Sequence, residues 1–287
     1  MPFLSLPHGE CLFYQRQGQG PPFLLVHGNL CTGAHLLPLC NLLPSGYTFY
    51  VPDLRGCGES SYHRPIQSIQ DLSEDLFCFI QQLDLGAVIL LGWSAGGPVC
   101  MQLAHDHPEV VQSLILVESV GIAGCPLFDL EGHPYPDAAA MAQEPTQVAP
   151  ALSMVRTQDA HAMAQLWNQA IFVHRKPSPE QALVLAAHSL QQRSIADLYW
   201  ALACFNLSPH PNGYALGSSD VLSPSIPCMV TWGEDDSIIS YEEAQQTANA
   251  LSQTPLVVFP HCGHAPFWDN PSLFARHVHD FLQQNKQ

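Results

Sequence analysis

The chain has 287 residues, of which 47% are apolar and only 12% charged. That composition excludes a disordered protein and leaves room for one large domain, or a core with an inserted lid. The formal net charge of −16 reflects a supply of just nine Lys and Arg, so phosphate backbones and anionic membranes would repel it, and no nucleic-acid or membrane partner is expected.

Residues 1–8 carry no basic segment and no sustained apolar run, which predicts no secretory leader. No later stretch reaches the ~18–20 apolar residues of a membrane span. Ten cysteines are spread singly, without a Cys-x-x-Cys pair. They read as reduced thiols in a cytoplasmic protein, several of them (Cys78, Cys100, Cys204, Cys228) inside core strands or helices, with no structural zinc site.

Four short apolar runs, at residues 23–26, 48–51, 88–91 and 113–117, have the pattern of parallel strands covered on both faces. Between them, Leu72, Leu76, Phe79, Ile80 and Leu83 recur at helical spacing within residues 69–83. The rhythm breaks near Gly124. Up to about Leu222 the chain is rich in Ala, Gln, His and Pro, with helices expected at 160–172, 179–190 and 195–205. Strand runs resume at 228–232 and 256–259, and a helix closes the chain at about 271–283. Alternating strands and helices predict an α/β fold with a mainly parallel, doubly wound sheet. The expected organisation is a core of residues 1–123 and 223–287 interrupted by a helical lid, or cap, at 124–222.

The motif with the most chemistry is Gly92-Trp93-Ser94-Ala95-Gly96-Gly97, placed between an apolar run and a helical pattern. Strand, tight turn and helix in that order form a nucleophile elbow. The turn strains the Ser backbone, the glycines make room, and the helix start aims N–H groups at developing negative charge. A hydroxyl needs a base, and the base an orienting acid. Gly233-Glu234-Asp235-Asp236 follows one strand run, and His261-Cys262-Gly263-His264 follows another. Such strand ends gather the sites of open α/β sheets. The assignment is Ser94 as nucleophile, His264 as base and Asp236 as acid. Asp235 and Glu118 are alternative acids, and His261 is a rival base.

These signatures, together with His27-Gly28-Asn29 and Asp53-Leu54-Arg55-Gly56-Cys57-Gly58-Glu59-Ser60, occur in an order that resembles the lid-bearing α/β-hydrolase family. The resemblance covers about residues 10–122 and 224–284. It implies an acid at the last position of a Gly-x-x-Asp stretch, hence Asp236, and favours the Gly-His pair at His264. It also implies an oxyanion hole from the amides of Asn29 and Ala95, with Leu30 next in line. Ser240 stands where that family often has Pro.

Asp53 to Ser60 reads as a structural turn in which Asp53 and Arg55 pair, since it lacks the spacing of a phosphate loop. Pairs such as His105/His107 and His277/His279 fall on different helix faces, which argues against a shared metal. Neither metal nor cofactor is expected. A serine at the elbow suits acyl transfer, and a lid with few charges suits a small apolar ester or lactone. The sequence therefore reads as a carboxylesterase or lactonase. The alternatives are a slow or non-catalytic small-molecule receptor on a hydrolase scaffold, a C–C bond hydrolase, or a cofactor-free perhydrolase. Trp93 stands where C–C hydrolases commonly have Asn, which weighs against that reading.

Overall fold

Each apolar run becomes a strand whose successive side chains point to opposite faces of one sheet. In the computed structural model, which describes residues 3–218, 226–251 and 254–285, the strands are β1 (Phe3–Ser5), β2 (Cys11–Gly18), β3 (Pro22–Val26), β4 (Thr48–Pro52), β5 (Val88–Trp93), β6 (Val111–Val117), β7 (Cys228–Gly233) and β8 (Leu256–Phe259). Their spatial order is β1-β2-β4-β3-β5-β6-β7-β8. The pairings from β4 through β8 are parallel, while β1 with β2 and β2 with β4 are antiparallel. The expected α/β architecture is present, with an antiparallel edge that the apolar runs did not announce.

Burial follows the alternation. Leu24, Val26, Leu90, Leu114 and Leu116 meet the helices α2 (Ile69–Gln82) and α3 (Gly96–Asp106) on one side of the sheet. Phe23, Leu25, Ile89, Leu91 and Ile115 meet α1 (Leu37–Leu42) and the C-terminal helix on the other. In α2, Leu72, Leu76 and Phe79 are buried at the predicted spacing. Fully burying each contributes roughly 1.5–3 kcal/mol. The same helix starts at a capping box in which Ser68 and Asp71 satisfy each other's backbone N–H.

Five described helices lie between β6 and β7: α4 (Ala138–Met141), α5 (Val148–Thr157), α6 (Ala160–Ala170), α7 (Pro179–Ser189) and α8 (Ile195–Cys204). Three match the expected helices, while α4 and α5 were not anticipated. The expected boundary at 222/223 lies outside the described residues. The chain ends with α9 (Tyr241–Ala250), α10 (Pro266–Asp269) and α11 (Pro271–Gln284). Among the described residues, no helix is long and apolar enough to cross a membrane. The parallel register places residues 27–30, 94, 118, 236 and 264 beyond the C-terminal ends of β3, β5, β6, β7 and β8.

Candidate active site

Ser94 sits between β5 and α3 at φ +53, in the left-handed region that a β-carbon disfavours. Its N–H donates to Val117 O at 3.0 Å, and its carbonyl accepts from Gly97 N at 2.9 Å and Val120 N at 3.2 Å, so the turn is tied down from both sides. A β-carbon at Gly92 would lie 2.7 Å from Gly96 O, and one at Gly96 would lie 2.7 Å from His27 O. Close backbone packing is therefore the reason for glycines around this serine.

His264 Nδ1 lies 2.9 Å from Asp236 Oδ2, with both side chains buried. The other carboxylate oxygen, Oδ1, accepts from Ile238 N at 2.8 Å and Ile239 N at 3.2 Å. Two amides thus fix the carboxylate, the carboxylate fixes Nδ1, and the remaining ring nitrogen is Nε2. Trp93 Nε1 donates to His264 O at 2.8 Å, and Gly263 N donates to Asp269 Oδ2 at 2.8 Å. Neither brace carries a sequence signal of its own.

The rival groups go elsewhere. Asp235 Oδ2 lies 2.7 Å from His174 Nε2 on the surface. His261 is exposed and faces the His174 ring. Glu118 is fully buried beyond β6, where its Oε1 accepts from Thr231 Oγ1 at 3.2 Å. Burial, and then the nearby Asp236 charge, push its carboxyl well above the usual carboxylate range.

The loop after β3 rests on the loop after β4. Leu54 N donates to His27 Nε2 at 2.9 Å, while His27 Nδ1 lies 2.8 Å from Gly28 O. Burial pushes this imidazole below its ordinary value, consistent with a neutral ring that donates at Nδ1 and accepts at Nε2. Asp53 accepts from Gly33 N at 2.7 Å and Glu59 N at 3.0 Å. The expected pairing of Asp53 with Arg55 is not found. Arg55 instead reaches α2, where its Nε lies 2.7 Å and its Nη2 2.5 Å from the two oxygens of buried Asp75. Carboxylate geometry suits that fork, and Asp53 is already engaged by backbone amides.

Of the oxyanion candidates, Ala95 forms the N-cap of α3 and Asn29 lines the cavity. The Leu30 N–H donates to Gln192 Oε1 at 2.7 Å and to Asn29 Oδ1 at 3.0 Å. Gln192, just beyond α7, was not anticipated, because its partners lie 162 and 163 positions away.

Ser94, Asn29 and His264 share the lining of one cavity of about 390 Å³. Part of its wall comes from α5, α6 and α8 (Ala151, Met154, Leu166, Trp167 and Tyr199), with Ile171 at the C-cap of α6. None of its lining residues is Asp, Glu, Lys or Arg. Among the aromatics expected to divide between pocket and core, Trp167 and Tyr199 reach the cavity. Phe172 packs behind Trp167, Trp200 packs on Tyr214, and Phe205 is buried in the core. Behind Trp167, the His35 ring stacks at 4.8 Å, and burial lowers its pKa to about 3.

The family model for the alpha/beta hydrolase fold matches residues 21–271. The chain is 28% identical over 289 residues to a pimeloyl-[acyl-carrier protein] methyl ester esterase of Yersinia pseudotuberculosis, covering 96% of this chain and 99% of that one. An esterase from Exiguobacterium antarcticum superposes with a TM-score of 0.75 at 21% identity, covering 98% of this chain and 99% of that one. The enol-lactonase from Burkholderia xenovorans superposes at 0.74 and 18% identity, covering 98% and 100%. At those identities the two structures share the fold.

Proposed function

This chain belongs to the alpha/beta hydrolase family, and on that premise we propose that it is a serine hydrolase cleaving a carboxylic ester or lactone through an acyl-enzyme on Ser94. The observation that carries the reading is the common cavity onto which the strained Ser94 and the Asp236-anchored His264 both open. In the first step, Ser94 Oγ bonds to the carbonyl carbon as its proton passes to His264 Nε2. The tetrahedral intermediate then collapses, the C–O bond breaks, and the alcohol leaves with that proton. Water adds to the acyl carbon, again through Nε2, and the acid departs as Ser94 recovers its proton. With a lactone the leaving alcohol stays joined to the acyl chain. The amides of Asn29 and Ala95 serve the oxyanion, each contributing about 2.7–4 kcal/mol by the usual loss on removal.

An uncharged lining of about 390 Å³ supports a small or medium apolar acyl group. Residues 124–222 are read as a helical cap over that cavity, since α5, α6 and α8 supply part of its wall. Ten free cysteines support a reducing, cytoplasmic setting. A His–Asp pair held by two backbone amides weighs against a receptor that only binds. The test is a panel of p-nitrophenyl esters and lactones of graded chain length, with wild type and Ser94→Ala. Turnover by wild type that Ser94→Ala abolishes supports the reading, and equal, negligible rates refute it.

A further inference from the structure

Gln192 presents one buried amide to the two residues that follow Gly28. Its Oε1 accepts from Leu30 N at 2.7 Å, and its Nε2 donates to Asn29 Oδ1 at 2.8 Å. Asn29 is held at its carbonyl as well, which accepts from the Cys31 thiol at 3.1 Å. Leu30 meanwhile takes φ +54, a conformation that needs support in a residue with a branched side chain.

The segment carrying Gln192 is itself anchored. Arg193 N donates to Gly56 O at 2.7 Å, and its guanidinium donates to Gly58 O at 3.0 Å and to Ser60 O. The same turn carries Asp53, which holds Gly33 N at the far end of the oxyanion loop. Residues 53–60 are thus a floor shared by the loop after β3 and by the chain after α7.

We propose that Gln192 is a positioning residue for the oxyanion hole: it occupies the Leu30 N–H and pins the Asn29 side chain, so that the Asn29 amide is the donor this loop presents to the reacting carbonyl. The inference rests on the acyl-enzyme reading of Ser94. A full-length amide is required because each end does a different job. Oε1 satisfies the backbone N–H of buried Leu30, and Nε2 adds a second hold on the Asn29 Oδ1 that already accepts from Leu30 N. Oxyanion donors act by preorganisation, so the effect belongs in turnover and not in substrate affinity.

The experiment compares wild type, Gln192→Met, Gln192→Glu and Ser94→Ala on p-nitrophenyl butyrate, with melting curves to establish folding. Methionine keeps the length and removes both hydrogen bonds. Its kcat should fall about tenfold to a hundredfold, less than the ~10²–10³ of losing a donor outright, with KM within about threefold. Glutamate keeps the acceptor for Leu30 N–H, but as a carboxylate it opposes Asn29 Oδ1. Once protonated it regains a donor, so its kcat relative to wild type should climb as pH is lowered from about 8 to about 6. A purely structural role would not produce that climb. Ser94-dependent wild-type turnover together with a folded Gln192→Met at wild-type kcat, or with a loss confined to KM, overturns this inference alone. If the methionine variant does not fold, a glutamate-to-wild-type ratio that stays near one across this range does the same. Turnover that Ser94→Ala leaves intact overturns the acyl-enzyme reading, and this inference with it.

Discussion

Gly28 offers a graded way to push on the nucleophile without touching its chemistry. A β-carbon there would stand 2.8 Å from Ser94 Cβ, 3.3 Å from Ser94 Oγ and 3.2 Å from Trp93 O. Ordinary carbon contacts lie at about 3.5–4.0 Å, so one side must yield by about 0.7 Å or more. Ser94 has little freedom to yield, because its N–H and carbonyl are bound to Val117, Gly97 and Val120. The strain is shared between the two loops, and overpacking of this kind costs about 1–3 kcal/mol of stability. Part of that is offset by about 0.4–1 kcal/mol from the stiffer unfolded chain. A misplacement near 1 Å lowers turnover by up to about a hundredfold. Gly28→Ala should therefore retain a folded protein that is destabilised by about 1–2 kcal/mol in guanidinium unfolding, while kcat on p-nitrophenyl butyrate falls about tenfold to a hundredfold. Wild-type kcat in this variant would mean that the loop after β3 does not press on Ser94.

Three further outcomes follow from the same geometry. Asp236→Asn removes the group that sets the His264 tautomer, so kcat should fall about 10³–10⁴-fold, whereas Asp235→Asn, which disturbs only a surface pair with His174, should stay within a few-fold of wild type. Comparable losses in the two variants would contradict the assignment of the acid. Glu118 has a folded pKa raised above its ordinary 4.5, so the folded state keeps a proton that the unfolded state releases. Stability from this source is complete below about pH 4.5 and declines as pH rises toward the folded value, by up to about 1.4 kcal/mol per pH unit. Glu118→Gln should therefore gain stability relative to wild type as pH rises from about 5 to about 8. A difference in unfolding free energy that is flat over this range would count against an upward-shifted Glu118 carboxyl. Arg55→Met leaves the buried Asp75 carboxylate with the His8 ring, 2.9 Å away, as its remaining ion-pair neighbour, and should cost up to about 3–5 kcal/mol in chemical unfolding, most of it recovered in Arg55→Met/Asp75→Leu. A single-variant loss below about 1 kcal/mol would show the pair to be screened by solvent.

What could be read from the chain was local. Runs such as residues 88–91 and 113–117 are apolar because parallel strands are covered on both faces, so β5 and β6 were visible. By contrast, β2 mixes Leu12 and Tyr14 with Gln15, Arg16 and Gln17 on a half-exposed strand between β1 and β4, which leaves no apolar run to detect. The helix α5 carries Pro150 in its first turn, where proline is tolerated, and this broke the helical pattern. The positions of Ser94, Asp236 and His264 were legible because each follows a strand and sits in a turn with its own residue signature. Gln192 and Asp269 had no such signature. Their roles arise from contacts across 162 and six positions that only the folded chain brings together. Asp53 and Arg55 do not pair for a related reason: nearness in sequence is not nearness in space, and the buried partner of Arg55 lies on α2.

An acyl-enzyme is a covalent species, and peptide mass spectrometry detects it. Wild type and Ser94→Ala are mixed with a p-nitrophenyl ester, quenched in acid within the first turnovers, and digested. An acyl-enzyme on Ser94 gives a mass increase of one acyl group, confined to the peptide containing Ser94 in wild type and absent from Ser94→Ala. Steady turnover with no adduct on that peptide, or an adduct that survives in Ser94→Ala, would contradict it.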